Sequence, residues 1–366
     1  MQSILYPDRM GSYEPEDVIF LLRNLSNVSL EMTNEKREQL IQSGTHYSEM
    51  LPVEYQPSQA YMELFYKTLD AYGERIALAV GVVAQQIVER QGIENLVLVS
   101  LARAGTPIGI LIKRYINVRY NIEVPHYTIS ILRGRGIDET AIHYIFAQHP
   151  AARIQFIDGW TGKGAITQEL QQACALFNAK NKEKLDDTLA VLADPGHCAS
   201  IYGTREDFLI RSACLNSTVS GLVSRTVLNL QFMKEHDFHG AKYYKELEEV
   251  DVSNLYIDRV SAYFDQVQHE VAHQMSERRP LPVTWQGLIS VKAIQETLGI
   301  SSIHFVKPGV GETTRVLLRR VPWKILINPQ YTNELEHIFL LAKEKNVPLE
   351  EYPAMSYACC GLIKEV

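Results

Sequence analysis

Apolar and polar positions alternate in blocks between residues 95 and 193, and this pattern predicts a regular succession of strands and helices. Short, continuous apolar runs are separated by longer segments in which apolar residues recur at helical spacing. The predicted strands span 95–101, 125–131, 153–158 and 187–193, and the predicted helices span 107–120, 139–147 and 164–179. Strands that alternate with helices form parallel sheets with helices on both faces. The pattern therefore predicts an α/β fold.

The segments on either side extend this pattern. Residues 75–90 are apolar almost all round, which predicts a buried helix. Residues 236–282 are mostly charged, but they contain a one-sided apolar stripe at helical spacing, formed by Val260, Phe264, Val267, Val271 and Met275. We therefore expect a helical linker there, which could form the seam of a homodimer.

The last part of the chain repeats the α/β pattern on a smaller scale. Its predicted elements are helix 286–298, strand 303–306, strand 323–328 and helix 332–345. They predict a separate, small α/β/α domain. The expected domains are a sheet domain at 1–235 (its core at about 75–195, its hood from the N-terminal and 196–235 segments), a linker at 236–282 and a second domain at 283–366.

Length, charge and cysteine content narrow the class of protein. A length of 366 residues suits two or three domains. The net charge of −7 argues against nucleic-acid binding over the whole surface. The chain lacks an apolar run long enough to span a membrane, and its N-terminus lacks the basic and apolar regions of a secretory signal. The five cysteines show no metal-site or disulfide spacing. We therefore expect a cytoplasmic protein without membrane partners.

The segment 153–164 predicts a site for a phosphorylated sugar. An apolar strand ends at Asp158, a loop with Gly159, Gly162 and Gly164 follows, and a predicted helix comes next. At such a turn the carboxylate can bind sugar hydroxyls, while loop amides and the helix N-terminus bind phosphate. The segment is not a Walker A loop, because only two residues separate Gly159 from the Gly-Lys pair and glycine follows the lysine. An ordinary Gly-rich βα turn is the alternative from this segment alone.

Two further loops carry arginine among small residues, and each follows a predicted strand. In the loop 102–106, Ala-Arg-Ala-Gly-Thr, the amides and the guanidinium of Arg103 could hold pyrophosphate. In the other loop, Arg133 and Arg135 alternate with Gly134 and Gly136, which is typical of a mobile loop. We expect this loop to be open or disordered without ligand. Because ligands of parallel sheets bind at the carboxyl ends of the strands, all three loops should face one site.

The order of these loops resembles that of type I phosphoribosyltransferases. The resemblance implies an enzyme that uses phosphoribosyl pyrophosphate with Mg²⁺ and transfers the phosphoribosyl group to a small, base-like nucleophile. It implies Arg133, Arg135 and Asp158 as catalytic residues, with Mg²⁺ held by the substrate and contacted by Asp158 at most. The implied substrate-binding residues are Arg103, Ala104, Gly105, Thr106, Gly159, Thr161, Gly162, Lys163, Gly164, His197, Tyr202 and Cys214.

The sequence departs from this family pattern at one position. The family usually carries two adjacent acidic residues at the strand end, and here Gly159 follows Asp158. The loss of one charged hydrogen bond costs about 1.5–3 kcal/mol, or roughly ten- to a hundredfold in affinity. A protein that binds a nucleotide or RNA without catalysis is therefore an alternative to a transferase.

Segments outside the sheet resemble a more specific family. The segments 11–13, 17–22, 203–210 and 212–226 are similar to the phosphoribosyltransferase-related family of bacterial tellurium-resistance and stress operons. The similarity covers roughly residues 10–235. Members of that family have also been labelled cysteine proteases. For that activity Cys214 would be the nucleophile and His197 the base, although a cysteine among Ala, Leu and Val is also typical of a core.

The second domain resembles the pelota-like relatives of the ribosomal kink-turn binders. Gly311-Glu312 near a helix start and the Lys-Asn-Val-Pro segment 345–348 carry the similarity. It implies RNA binding through Lys307, Gly309, Gly311, Glu312, Thr313, Arg315 and Arg319, with Arg320 close by. We expect the amides and threonine hydroxyls of 309–315 to face outward. A small accessory domain with a solvated basic face is the alternative.

The segment 269–273, His-Glu-Val-Ala-His, matches the HExxH signature of zinc peptidases. Both histidines are predicted to point away from the apolar stripe, whereas a catalytic zinc site needs a shielded cleft. The downstream candidate ligand, Glu296, lies beyond a break that contains proline. The pattern therefore favours a chance match.

Overall fold

Six parallel strands form the sheet at the centre of the N-terminal part of the protein. The computed structural model describes residues 6–54, 58–208, 216–234, 236–279 and 281–365, apart from the side chains of residues 60, 61 and 333. The strands of this part are β1 (Ile19–Phe20), β2 (Arg23–Asn24), β3 (Glu31–Met32), β4 (Leu51–Pro52), β5 (Leu96–Leu101), β6 (His126–Ile129), β7 (Ile131–Leu132), β8 (Gly136–Ile137), β9 (Arg153–Trp160), β10 (Leu189–Ala193), β11 (Ile201–Thr204) and β12 (Gly240–Ala241). The large sheet has the order β1-β6-β5-β9-β10-β11.

Helices cover both faces of this sheet. They are α1 (Asn34–Gln42), α2 (Gln59–Gln91), α3 (Gly105–Tyr120), α4 (Glu139–Gln148), α5 (Ala165–Lys180), α6 (Ser253–Ser261) and α7 (Phe264–Glu277). Helices α4 and α5 pack with Val97 and Val99 of β5, whereas α2, α3, α6 and α7 pack with Leu96 and Leu98. Strand β5 is buried along its whole length, as expected for a strand covered on both faces. The predicted α/β sheet is confirmed.

Residues 236–282 do not form a separate linker. Strand β12 pairs with β2, and α6 and α7 pack against α2 and α3. Four residues of the predicted stripe are buried in this helical layer and Met275 is half-buried, so the chain itself covers the stripe, and a homodimer seam stays a prediction. His269 and His273 are exposed, in agreement with the prediction that they point away from the stripe, and Glu270 is exposed as well. The described residues contain no group of three or more His, Cys, Asp or Glu side chains that could hold a metal ion.

The C-terminal unit, residues 281–365, has its own four-stranded sheet of order β13-β16-β14-β15. Its elements are α8 (Gln286–Thr297), β13 (Val306–Pro308), α9 (Gly309–Arg319), β14 (Pro322–Ile327), α10 (Glu336–Glu344), β15 (Leu349–Glu351) and β16 (Cys359–Ile363). Strands β14 and β15 are parallel, and the other pairs are antiparallel. Apolar residues of α9 and α10 belong to the same hydrophobic cluster as α2 and α3, so the C-terminal unit is packed onto the N-terminal part. No helix in the described ranges is long and apolar enough to cross a membrane.

Candidate functional site

The loops that follow β5 and β9 pack directly against each other, because these strands are neighbours in the sheet. A Cβ atom at Gly105 would lie 2.4 Å from the carbonyl oxygen of Ile157, and one at Gly159 would lie 3.1 Å from that of Ala104. Glycine is what permits this close approach of backbones. The peptide bond that joins Ala102 to Arg103 is cis. The predicted pyrophosphate and sugar loops therefore share one edge of the sheet.

Asp158 is half-buried near the end of β9, at this edge. Its Oδ1 accepts a hydrogen bond from the N–H of Gly159 at 2.7 Å. Burial raises the pKa of Asp158 to about 6, although that N–H and the charge of Arg315 both oppose the rise. The carboxyl group therefore changes its charge close to neutral pH.

The turn 161–164 leads from β9 into the N-terminus of α5. Gly164 has a φ of +82°, a conformation that favours glycine, and it directly precedes the helix. Thr161 donates from Oγ1 to Oδ1 of Asp194 at 2.5 Å, which ties the turn to the end of β10. Thr167 is only 5% exposed, and its hydroxyl has no hydrogen-bond partner among the described residues. A helix N-terminus with an unpaired hydroxyl beside it is suited to phosphate.

The C-terminal unit closes over this turn. The ammonium group of Lys163 donates to the carbonyl oxygens of Ile303 at 2.5 Å and Val306 at 3.1 Å. The hydroxyl of Tyr357 donates to the carbonyl oxygen of Gly162 at 3.2 Å. Thr161 is thus held by Asp194 at the end of β10, whereas Lys163 and the backbone of Gly162 are held by the C-terminal unit.

Helix α9 meets the site with one face. Near its start, the Glu312 carboxylate lies over Gly162, where an added Cβ would be 3.4 Å from Oε1. One turn later, the guanidinium of Arg315 lies 4.6 Å from the ring centroid of Trp160. Gly311 allows this contact, because a Cβ there would lie 2.5 Å from Cε2 of Trp160. The start and middle of α9 therefore pack on the turn and on the end of β9.

The end of α9 meets a buried carboxylate, Glu54. Arg319 lies 3.2 Å from Oε1 of Glu54, and Arg103 lies 3.4 Å from the same oxygen. Arg320 makes two contacts of 2.6 Å with the carboxylate of Glu38 on α1. Arg103 of the predicted pyrophosphate loop is therefore next to arginines of the C-terminal unit.

These elements enclose a cavity of about 280 Å³. Nine basic side chains line it: Arg37, Arg103, Arg133, Lys163, Arg225, Lys307, Arg315, Arg319 and Arg320. Among the described residues, the carboxylates in the lining are Asp158 and Glu312. A concave site with this excess of positive charge is suited to an anionic ligand.

Several pKa values in the cavity reflect the same excess of positive charge. Burial, with Arg320 as the next cause, lowers the pKa of Arg37 to about 10. Burial and the charges of Arg37, Arg320 and Arg103 lower the pKa of Arg225 to about 9, with Tyr47 opposing. Burial also holds the pKa of Lys307 well below its usual value, although Glu312 opposes this. A bound anion would raise all three pKa values, so these cations favour an anionic ligand.

The segment predicted to be a mobile loop is a fixed hairpin, and the expectation of an open or disordered loop is wrong. Strands β7 and β8 pair antiparallel. The N–H groups of Gly134 and Gly136 donate to the two oxygens of Glu169 at 2.7 and 2.9 Å. The hairpin is fixed because one carboxylate on α5 satisfies both amides of the turn.

The two arginines of this hairpin have different surroundings. Arg133 lines the cavity. Arg135 is paired with Glu49 and donates to the carbonyl oxygen of Leu228 at 3.0 Å, and it is not part of the cavity lining. A catalytic role for Arg135 stays a prediction, but its observed contacts are structural.

The cavity brings together eight of the residues predicted for catalysis or substrate binding: Arg103, Ala104, Arg133, Asp158, Thr161, Gly162, Lys163 and Gly164. Gly105, Gly159 and Thr106 lie outside its lining and serve in packing, Thr106 with its hydroxyl 3.1 Å from that of Thr128.

His197 and Tyr202 are not in the cavity lining either. The carbonyl oxygen of His197 accepts from the N–H of Trp285 at 3.1 Å, so this residue contacts the C-terminal unit through its backbone. The ring of Tyr202 lies against the guanidinium groups of Arg205 and Arg278, at 4.6 and 4.2 Å.

Cys214, the predicted thiol nucleophile, lies outside the described residues. The four described cysteines, Cys174, Cys198, Cys359 and Cys360, are buried. Burial raises the pKa of Cys198 to about 12, and those of the other three also rise. A thiol with a raised pKa is a poor nucleophile at neutral pH, so these four are core residues.

The expectation that residues 309–315 form an outward-facing loop is wrong. They are the first two turns of α9, and Thr313 and Thr314 are fully buried. Gly309 packs beside Asp207, where an added Cβ would lie 3.2 Å from Oδ1. Lys307, Glu312, Arg315 and Arg319 face the cavity, because α9 is docked on the N-terminal part.

The cavity is also lined by Arg37, Arg225, Trp160 and Thr167, which the sequence patterns did not predict there. Arg37 belongs to a polar helix whose pattern predicts exposure, yet it is only 4% exposed. Arg225 lies in the segment 212–226, whose family similarity was a signal that could have identified it.

Comparisons with known proteins place the chain in a family. Residues 11–261 match the model of a family described as the tellurite-like stress resistance cysteine protease StiP, and residues 285–365 match the PELOTA RNA binding domain. The cysteine protease StiP of Acinetobacter baylyi (strain ATCC 33305 / BD413 / ADP1) is 35% identical over 345 residues, which cover 91% of this chain and 88% of that protein.

A solved structure is also similar over part of the chain. Hypoxanthine phosphoribosyltransferase from Trypanosoma cruzi, in complex with the product IMP, matches 50% of this chain and 93% of its own, with 12% identity and a TM-score of 0.27. That score is too low to carry an argument about fold. The family match covers well over half of the chain, and the protein therefore belongs to the StiP family of tellurite-like stress resistance, with a C-terminal PELOTA RNA binding domain.

Proposed function

We propose that the cavity binds phosphoribosyl pyrophosphate with Mg²⁺ and that the protein transfers the phosphoribosyl group to a base-like nucleophile. One observation carries the proposal: Asp158, the turn 161–164 and Arg103 line a single cavity with nine basic side chains. A carboxylate beside a phosphate-binding turn matches a sugar phosphate, and the remaining cations match a second, strongly charged group.

Each part of this substrate has a matching group in the cavity. Asp158 would accept hydrogen bonds from ribose hydroxyls, and the N-terminus of α5 with Thr167 would bind the 5′-phosphate. Arg103 and Arg133 would hold the pyrophosphate. In the reaction the ribose–pyrophosphate bond breaks, a bond from the ribose to the nucleophile's nitrogen forms, and the nitrogen loses a proton. Positive charge develops on the ribose, so the site works by holding the sugar and the leaving group in place.

Mg²⁺ would enter with the substrate. At the sugar loop Asp158 is followed by Gly159, so a single carboxylate is available, and the described residues hold no cluster that could bind a metal by itself. This donor set fits an ion held mainly by pyrophosphate oxygens and contacted by Asp158. When bound, the ion would neutralise part of the charge of the leaving group.

A calorimetric titration of the full-length protein with phosphoribosyl pyrophosphate and Mg²⁺ tests this proposal. Asp158→Asn keeps the size of the side chain and should weaken binding roughly ten- to a hundredfold. Asp187→Asn, at an exposed position, is the matched control and should change nothing. An affinity that Asp158→Asn leaves unaltered, or no binding by the parent protein, would remove the transferase proposal.

A thiol hydrolase is the second candidate, because a relative 35% identical is named a cysteine protease. The four buried cysteines do not suit this role, so Cys214 would have to be the nucleophile. The test is alkylation with iodoacetamide. Rapid labelling at Cys214 together with loss of a peptidase activity, both absent in Cys214→Ser, would favour the hydrolase. Slow labelling of Cys214 in the parent protein, together with phosphoribosyl pyrophosphate binding that Cys214→Ser retains, would favour the transferase.

A further inference from the structure

Arginines from three separate segments meet in the cavity and are short of hydrogen-bond partners. Arg37 lies on α1, Arg225 in the segment 216–234 and Arg319 on α9. The Nε atom of each is buried and has no partner among the described residues. A buried charged donor without a partner is costly, so three of them in one cavity point to a ligand that accepts hydrogen bonds. We call these three residues the arginine cluster.

The carboxylates near the arginine cluster, Glu54 and Glu38, offset only part of its positive charge. Oε1 of Glu54 is shared between Arg103 and Arg319. Within the described ranges, Arg37 and Arg225 have no carboxylate oxygen within 4.0 Å. Arg37 is 4% exposed, so water does not solvate its charge either. The arginine cluster is therefore a built site for an oxyanion, such as a phosphate group.

Helix α9 contacts both this site and the sugar-phosphate turn. Glu312, at one end of its cavity face, lies over Gly162 of the turn, and Arg319, at the other end, belongs to the arginine cluster. Seven residues of α-helix rise about 10 Å. The two residues of α9 that contact these regions are thus about 10 Å apart along the helix axis.

We propose that the ligand carries two anionic groups, a sugar phosphate at the turn 161–164 and a second phosphate-type group that the arginine cluster holds together with Arg103 and Arg133. Helix α9 is then a wall of the active site that spans both groups. The proposal rests on the proposed function for the sugar-phosphate end, and it adds the second end and the part of the chain that forms it.

The test compares ligands with one and with two anionic ends. Ribose 5-phosphate carries only the sugar-phosphate end, inorganic pyrophosphate carries only the second anionic end, and phosphoribosyl pyrophosphate carries both. Arg37→Gln removes one charge without breaking an ion pair. We expect it to weaken phosphoribosyl pyrophosphate and inorganic pyrophosphate roughly ten- to a hundredfold in calorimetry, and to leave ribose 5-phosphate within about twofold.

Two further variants control for charge and for folding. Arg119→Gln removes one charge from an exposed site on α3 and should leave all three affinities unaltered. Arg37→Lys keeps the charge but not the planar fork and should restore part of the lost affinity. Equal losses for all three ligands in Arg37→Gln, or no loss for any, would overturn the proposal.

The outcomes also separate this proposal from the transferase. If pyrophosphate binding depends on Arg37 while ribose 5-phosphate does not bind, the arginine cluster stands as an oxyanion site and the proposed function fails. If ribose 5-phosphate binds and Asp158→Asn weakens that binding, while Arg37→Gln leaves the affinity for pyrophosphate unaltered, the proposed function stands and the second subsite fails.

Discussion

Asp207 of the N-terminal part accepts a hydrogen bond from the N–H of Val310, the second residue of α9, at 2.9 Å. Its other oxygen accepts from the N–H of Ala358 at 2.9 Å. The carboxylate thus satisfies a free N–H at the start of α9 and places negative charge where the helix dipole favours it. This contact holds the helix that lines the cavity against the part of the chain that carries Asp158.

The contact at Asp207 should make stability depend on pH. Burial raises the pKa of Asp207 to about 6, against the effect of the two N–H groups. Because the folded pKa lies above that of the unfolded chain, the stability this group contributes is lost as pH rises from about 4 through 6. Asp207→Ala leaves two N–H groups unpaired and should lower the free energy of unfolding by about 1–3 kcal/mol at pH 5. The difference from the parent protein should be smaller at pH 8.

Urea unfolding at the two pH values measures this effect. Asp187→Asn is the control at an exposed position. A difference that stays the same at pH 5 and pH 8 would show that Asp207 does not titrate in this range.

Binding of a sugar phosphate should strengthen as Asp158 ionises. With a pKa of about 6, the carboxyl group gains its charge between about pH 5 and 7, and the charged form is the stronger acceptor for ribose hydroxyls. The phosphate of ribose 5-phosphate also ionises near pH 6. The comparison is therefore made with Asp158→Asn, which should retain only the phosphate's share of the pH dependence. Identical pH profiles of affinity in calorimetry would contradict a role for this carboxylate.

Gly311 should be required for the docking of α9. Alanine in a helix interior is normally favoured over glycine by about 1 kcal/mol. Here an added Cβ would lie 2.5 Å from Trp160, so Gly311→Ala should instead destabilise the protein by about 1–3 kcal/mol and weaken phosphoribosyl pyrophosphate binding. In a double-mutant cycle, Gly311→Ala should therefore cost less stability in a protein that also carries Trp160→Leu. Strictly additive changes in the free energy of unfolding would mean that alanine at position 311 does not clash with the side chain at position 160.

RNA and phosphoribosyl pyrophosphate should compete for this protein. Lys307, Arg315 and Arg319, which the PELOTA resemblance implies for RNA, line the cavity rather than an open surface. RNA that uses them must displace the C-terminal unit, and a ligand that bridges α9 and the turn 161–164 opposes this displacement. Filter binding of a kink-containing RNA at low salt should show weaker retention when phosphoribosyl pyrophosphate is added, and by linkage RNA should weaken the ligand. If added phosphoribosyl pyrophosphate left the retention of RNA unaltered, the RNA would have to bind to a surface outside the cavity.

Local patterns in the sequence were sufficient for the sheet and for half of the cavity. Strands β5 and β10 are almost continuous apolar runs, and β9 is apolar at Ile154, Phe156 and Ile157, because strands covered on both faces have no solvent-exposed side. Turns with glycine and a charged residue mark the carboxyl ends of these strands. Since such ends lie at one edge of a parallel sheet, the order of strands and turns along the chain is enough to place Arg103, Asp158 and Lys163 at a common site.

The other half of the cavity was decided by tertiary contacts. Glu54 and Arg319 are 265 residues apart in sequence and 3.2 Å apart in space, and no local periodicity encodes that contact. The same holds for Arg37 of α1, which donates to the carbonyl oxygen of Arg319 on α9, and for the hairpin β7–β8, which is held by Glu169 of α5. Periodicity reports which face of an element is apolar. Which distant element covers that face, and which charges it brings, depends on the packing of the whole chain.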